Sequence, residues 1–221
     1  MKLLVEALIK FTCGLLLVGL LIFLPAGTLG YTYGWLLIGL LFIPMLFAGF
    51  VMMLKSPDFL KKRLDAKEKQ GTQKGVIAIA GLMFIAGFVV AGLDFRFGWS
   101  TMPMWVTVAA SVLFLIAYAL YAEVMRENAY LSRTIKVEAG QTVVDTGLYG
   151  IVRHPMYSVT VGLFLMIPLI LGSWYALIPF AFYPVIIIVR LLDEEKLLTQ
   201  ELAGYEDYKK KVKYRLFPFV W

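Results

Sequence analysis

Residues 147–157 read GLYGIVRHPMY and put Arg153, the chain's only histidine, His154, and the phenols of Tyr149 and Tyr157 in one short stretch. A second cluster, RLLDEE at 190–195, follows directly on the apolar run PVIIIV. Between them the clusters offer guanidinium donors, an imidazole, phenols and carboxylates. Such groups are costly at the edge of hydrocarbon unless they are wet, paired or functional. On one continuous helix Arg190 and Glu194 share a face, and taken alone they read as an i,i+4 ion pair that ends a membrane helix. His154 alone reads as an interfacial hydrogen-bonding group or as a ligand contact. Arg153 alone suits a lipid phosphate, and the two tyrosines suit ring anchoring at the interface. Pro155 fits the first turn of a helix, where its missing donor costs nothing. If the clusters meet, they frame a cleft that takes a water-soluble zwitterion from one side and a lipophilic partner from the other.

Whether they meet depends on the elements that carry them. The chain has 221 residues, of which 61% are hydrophobic and 16% charged, well below the roughly 25% charged of soluble proteins. The apolar residues lie in long blocks, and a spanning helix needs about 20 of them. The reading is an all-α polytopic membrane helix bundle of about six crossings, with a short C-terminal helical hairpin. The formal charge of +6 sits mainly in short segments beside membrane-length runs, so the cations read as topology signals and contacts to membrane lipids. No nucleic-acid partner and no obligate protein partner is expected. Cys13 is the only cysteine, which excludes an internal disulfide, and no metal site is expected. The first apolar block resembles a signal peptide in its early lysine, but it continues to Gly30 without a small-x-small cleavage site and reads as a retained helix.

Along the chain, spans are expected at about 3–24, 33–54, 75–93 and 104–121. Tyr31, Tyr33 and Trp35 mark a headgroup-level junction. Asp94 and Arg96 fall in the link before Pro103. Pro44 kinks the second helix unless neighbours satisfy the freed carbonyl. Gly75, Gly81, Gly87 and Gly92 permit close helix approach. The loop 55–74 holds seven Lys or Arg against three acids and should stay cytoplasmic, with Phe59, Leu60 and Leu64 as a modest apolar stripe. Glu127, Asn128, Arg133, Lys136 and Glu138 are read as an interfacial helix ending near Gly140, and the TVV run as a brief extended piece at most. Residues 156–172 and 173–189 are apolar segments of 17 residues each, about 25 Å as helix, and read as a compact hairpin that goes out and returns. YRLFPFVW is expected to fold back on the interface. A working division places a four-helix membrane region at 1–123 and the core with its tail at 124–221. Three polar segments then share one face, so His154 and Glu194 become neighbours across one hairpin.

TGLYGIVRHPMY, then RLLDEE, then GYEDYKKKVKYRLFP together resemble the C-terminal signature of the isoprenylcysteine carboxyl methyltransferase family, whose membrane phospholipid methyltransferase relatives share the RHPxY and paired-glutamate pattern. The resemblance implies S-adenosyl-L-methionine as cofactor, held in a cytosolic pocket beside a lipid-accessible tunnel. It implies cofactor contacts from Gln141, Thr142, Val143, Val144, Tyr149, His154, Pro155, Met156, Tyr157 and Glu194, with Glu195 completing the acidic pair. Arg190 resembles the arginine that orients a substrate carboxylate, and Arg190 and Glu194 are the candidate catalytic groups. The implied partner is a lipophilic small molecule or prenylated cysteine; chain size and charge pattern give the expected location, integral to a bacterial inner membrane with the active site toward the cytoplasm.

The residues fit such chemistry and leave the acceptor open. A methyl on a sulfonium is already activated, so the protein must chiefly align it with a nucleophile and exclude water. A carboxylate needs no general base; an amine needs one, for which the paired glutamates are the candidates; a thiol needs ionisation, for which Arg190 or His154 would serve. The alternatives are therefore phospholipid N-methylation, thiol S-methylation, or a transporter or lipid-binding protein in which both clusters merely end helices.

Overall fold

The computed structural model describes residues 2–65, 71–132 and 134–221, so the expectations resting on 66–70 and on Arg133 lie outside the described residues. Helices α1 (Lys2–Ala26), α2 (Thr32–Lys55), α4 (Gly71–Phe97) and α5 (Met104–Glu127) are each long and apolar enough to cross a membrane, as is the stretch Trp174–Glu201. That last stretch is broken into α7 (Trp174–Phe180) and α8 (Tyr183–Glu201), because Pro184 cannot continue a helix interior and instead sits in the first turn of α8. The shorter apolar α6 (Pro155–Ile170) has 16 residues and a length of about 24 Å, so five segments rather than six reach spanning length among the described residues. No strand occurs among the described residues, and the polytopic helical bundle read from the apolar blocks is the observed architecture. Pro44 is accommodated inside a continuous α2.

Amphipathic α3 (Pro57–Leu64) follows α2 and turns its apolar stripe inward: Leu60 is buried and Phe59 packs on the main core. Lys10 reaches the Leu64 carbonyl at 2.7 Å, which fixes the end of α3 beside α1. Helix α4 lies centrally, against α1, α7 and α8, while α5 packs along α6. Close approach is used at two of the five α4 glycines. A β-carbon at Gly87 would collide with the ring of Phe180, and one at Gly92 would stand 2.6 Å from the Ile22 carbonyl oxygen of α1, whereas Gly75 and Gly81 face open space. Gly92→Ala meets backbone, which cannot rotate away, so the α1 to α4 packing must open. The expected loss is about 1–3 kcal/mol, measurable as a lowered unfolding midpoint in detergent, while Gly81→Ala leaves it unchanged.

At the end of the bundle remote from α3, the structure corrects two expectations. Helix α4 runs on through Asp94 and Arg96, so the link begins at Gly98. Asp94 is buried and accepts from Ser100 N (2.7 Å), Ser100 Oγ (2.6 Å) and Ser173 Oγ (2.5 Å), which pays for its desolvation and ties α4 to the α6–α7 turn. Tyr31 is 1% exposed, and its hydroxyl donates to the Leu171 carbonyl. It pins the α1–α2 turn to the end of α6 rather than floating at headgroup level. Trp35 remains half exposed with its indole N–H on the Leu29 carbonyl.

The opposite end gathers α3, the start of α4, the end of α5, the start of α6 and the end of α8. Lys62 meets Glu138 at 2.5 Å, and Gln73 meets Asp193 at 2.7 Å, so the polar segments near 60, after 124 and after 189 share one face.

Candidate functional site

The stretch after α5 is irregular instead of helical. Asn128 leaves helical geometry (φ −123°, ψ 98°), and its side-chain oxygen accepts from Tyr130 N at 3.0 Å, a local bond that competes with another helical turn. Farther on, the Gln141 side chain accepts from Glu138 N at 2.9 Å, and Glu138 itself is held by Lys62. No helix forms between Asn128 and Thr146 among the described residues, and Gln141, Thr142, Val143 and Val144 pass as irregular chain along a cavity. A 3₁₀ turn over Gly147–Gly150 then aims Tyr149 inward. Gly147 is at φ +54°, where a β-carbon would also overlap the Glu127 carboxylate that accepts from Leu148 N at 3.0 Å.

Beneath that turn lies a buried ion cluster. Glu195, 7% exposed, accepts from Arg153 Nε (2.7 Å) and Arg215 Nε (2.8 Å), and its Oε1 stands 3.3 Å from His154 Nε2. Arg153 also donates to the carbonyls of Val212 and Lys213, at 2.8 and 2.9 Å. Arg153 is thus 7% exposed and spent inside the protein, which overturns the lipid-phosphate reading. The backbone repeats the connection: Arg153 N and His154 N donate to the carbonyls of Tyr214 and Arg215, both at 2.9 Å, and Ser158 Oγ donates to that of Leu216. YRLFPFVW therefore folds back against the start of α6, with Arg215 over the Trp221 ring at 4.7 Å. Its outer residues Phe217, Pro218, Phe219 and Val220 stay exposed.

The cavity itself is lined by Gln141, Thr142, Val143, Val144, Tyr149, His154, Met156, Tyr157, Arg190 and Glu194, and also by Asn128 and the ring of Tyr205 from α9 (Tyr205–Lys211). Of the residues singled out in the sequence, Pro155 and Glu195 do not line it; Pro155 opens α6, and Glu195 faces the ion cluster. Tyr149 accepts from Asn128 Nδ2 at 3.0 Å, and its carbonyl accepts from Tyr208 at 2.7 Å. Burial pushes the Tyr149, Tyr205 and Tyr208 phenols well above their usual range, and the Glu195 and Glu194 charges push Tyr205 further. They remain protonated and act as neutral dipoles.

Across the cavity runs a relay of side chains. Tyr157 donates to Glu194 Oε2 at 2.5 Å and accepts from Arg190 Nε at 3.1 Å; Arg190 Nη1 donates to Gln73 Oε1 at 3.1 Å, and Gln73 Nε2 to Asp193. The tyrosine hydroxyl thus joins Arg190 to Glu194, where the sequence suggested a direct i,i+4 pair. Gln73 was missed by the motifs. Its signal was faint: a glutamine two residues inside the start of an apolar helix, fully buried once α4 meets α8.

A second cavity adjoins the first. Ser132, Thr134, Met156, Tyr157 and Arg190 line both, and the second continues between α4, α6 and α8 along Ile77, Phe84, Phe164 and Ile186, with Arg63 and Tyr121 at its polar end. Fold and site together define a polytopic helical membrane protein with a polar pocket backed by an apolar one. In sequence, residues 105–200, from α5 to the penultimate residue of α8, match the Isoprenylcysteine carboxyl methyltransferase (ICMT) family, so the part of the chain that carries Tyr157, Arg190 and Glu194 resembles a methyltransferase family, which supports an enzyme of membrane methyl transfer. No curated protein matches the chain.

Proposed function

We propose that the protein transfers a methyl group from S-adenosyl-L-methionine to a lipophilic acceptor at the membrane interface, most concretely to the carboxylate of an isoprenylcysteine. The observation that carries this reading is the wall shared by the two cavities, in which Tyr157 and Arg190 face polar and apolar space at once. The polar cavity suits the donor: Glu194 offers a carboxylate to a cationic group, Asn128 and the neutral phenols offer hydrogen bonds, and Val143, Val144 and Met156 offer apolar surface to a purine. When bound, the cofactor supplies an electrophilic methyl carried on a sulfonium. The chain's residues then align and shield. Arg190, oriented by Tyr157 and Gln73, presents donors to an acceptor head arriving from the apolar cavity. A carboxylate there attacks without a base, so Arg190 serves positioning and no proton need move. Glu195 supports the pocket from behind, by holding Arg153 and the tail. The lysine-rich polar face is the cytoplasmic one by the positive-inside rule, and the part after 123 supplies the polar cavity while the preceding helices complete the apolar one.

The test is purified protein in lipid with methyl-labelled cofactor and a panel of farnesylcysteine analogues, phosphatidylethanolamine and hydrophobic thiols. Label is expected in the carboxylate acceptor; failure of the protein to bind the cofactor at all overturns the reading. Glu194→Ala is expected to raise the cofactor Kd about 10- to 100-fold by equilibrium binding, the worth of about 1.5–3 kcal/mol for a hydrogen bond to a charged group.

A further inference from the structure

The polar end of the apolar cavity holds a second guanidinium that the motifs after residue 140 do not include. Arg63 stands in the last turn of α3 and lines this cavity together with Arg190. Its Nη2 donates to the Tyr121 hydroxyl, and its plane lies over the Tyr121 ring at 5.7 Å. Its Nη1 is buried and has no hydrogen-bond partner among the described residues. Its neighbour Lys62 is committed to Glu138, so the unmet donor belongs to Arg63 specifically. Buried polar atoms are nearly always satisfied, and a donor on a permanently charged group is the costliest to leave unmet. An orphan of this kind on a residue that lines a cavity is donor capacity that an acceptor oxygen entering the cavity would satisfy. Arg190 approaches the same space from α8, already oriented by Tyr157 and Gln73. Beyond the two arginines the walls become apolar, through Ile77, Phe84, Phe164 and Ile186.

We infer that this cavity binds an amphiphile by an anionic head held between Arg63 and Arg190, with its chain along the apolar walls, and that Arg63 selects charged over neutral heads. The inference rests on the proposed acceptor side of the site and narrows it: the head must carry oxygens with negative charge, so a neutral thiol or a neutral ester is a poor occupant. It also gives the segment outside the 105–200 match a direct part in recognition, since α3 supplies one of the two arms.

The experiment is equilibrium binding without cofactor, on the full chain in phosphatidylcholine nanodiscs. The probes are N-acetyl-S-farnesylcysteine, its methyl ester, and lysophosphatidic acid. The wild type is expected to prefer an anionic probe over the ester, and Arg63→Ala to reduce that preference about tenfold, the scale of one charge-assisted hydrogen bond, with Arg63→Lys retaining part of it. Loss confined to the farnesylcysteine acid identifies a carboxylate head; loss confined to lysophosphatidic acid identifies a phosphate head; either supports the site. An acid-to-ester ratio and a lysophosphatidic acid affinity that are both unchanged in Arg63→Ala overturn it. The ratio is internal to each variant, so partial misfolding cannot imitate the result. Because no methyl is transferred, the outcome is also separate from failure of the methyltransferase reading, which appears as absent cofactor binding.

Discussion

Arg190→Ala is expected to lower kcat/KM for methyl transfer by about 10²-fold or more while leaving the cofactor Kd within about threefold, because misplacing a reacting group by roughly an ångström costs on that scale whereas the donor keeps its own contacts. The geometry dictates the split. Arg190 is held by the Tyr157 hydroxyl on one side and by Gln73 on the other, on the wall between the two cavities, and Glu194, Tyr149 and Asn128 remain on the polar side without it. Lysine should recover little: it keeps the charge but cannot serve Tyr157, Gln73 and an acceptor together with one planar fork. Single-turnover rates at saturating cofactor, paired with equilibrium cofactor binding, separate the two quantities. If cofactor affinity falls as far as the transfer rate, Arg190 belongs to the donor pocket and the acceptor-orienting role is wrong.

What the sequence made legible follows from the range of the forces involved. A run such as 104–127 needs no partner to announce a membrane helix, since hydrophobicity and length suffice, and the six apolar segments were therefore visible at once. The meeting of 147–157 with 190–195 was also visible, because only a tight hairpin joins them, and His154, Tyr157, Arg190 and Glu194 do line one cavity. The stretch after Asn128 failed for the opposite reason. Its charged residues have the spacing of a solvated helix, but Asn128 bonds locally and Glu138 is drawn away by Lys62, a partner 76 positions back. Gln73, Arg63 and Arg215 are ordinary polar residues until folding brings Arg190, Tyr121 and Glu195 to them. Glu195 in sequence only completes the acidic pair with Glu194, and one helical step of about 100° turns it from the cavity to the ion cluster.

That rotation yields the largest expected effect on stability. Glu195→Ala leaves Arg153 buried beside His154 with its main counter-charge gone, and removing one partner of a buried pair costs about 3–5 kcal/mol. Screening does little to reduce this, because the side chains of Glu195 and Arg153 are 9% and 6% exposed; Arg215, at 30%, can turn toward water. Glu195→Gln keeps the shape and one acceptor oxygen and is expected to lose less. The damage should spread along the backbone bonds from Arg153 and His154 to Tyr214 and Arg215, so residues 212–221 come loose before the helices do. Limited proteolysis should therefore cut Glu195→Ala within this tail at protease levels that spare the wild type, and the fluorescence of Trp221 should change as Arg215 leaves its ring. Cofactor affinity would fall secondarily, since His154 and Tyr205 lose their backing. A Glu195→Ala protein with an unshifted unfolding midpoint and a protected tail would mean that the ion cluster does not hold the tail against α6, and the support assigned to Glu195 would have to come from the apolar packing of Leu216 alone.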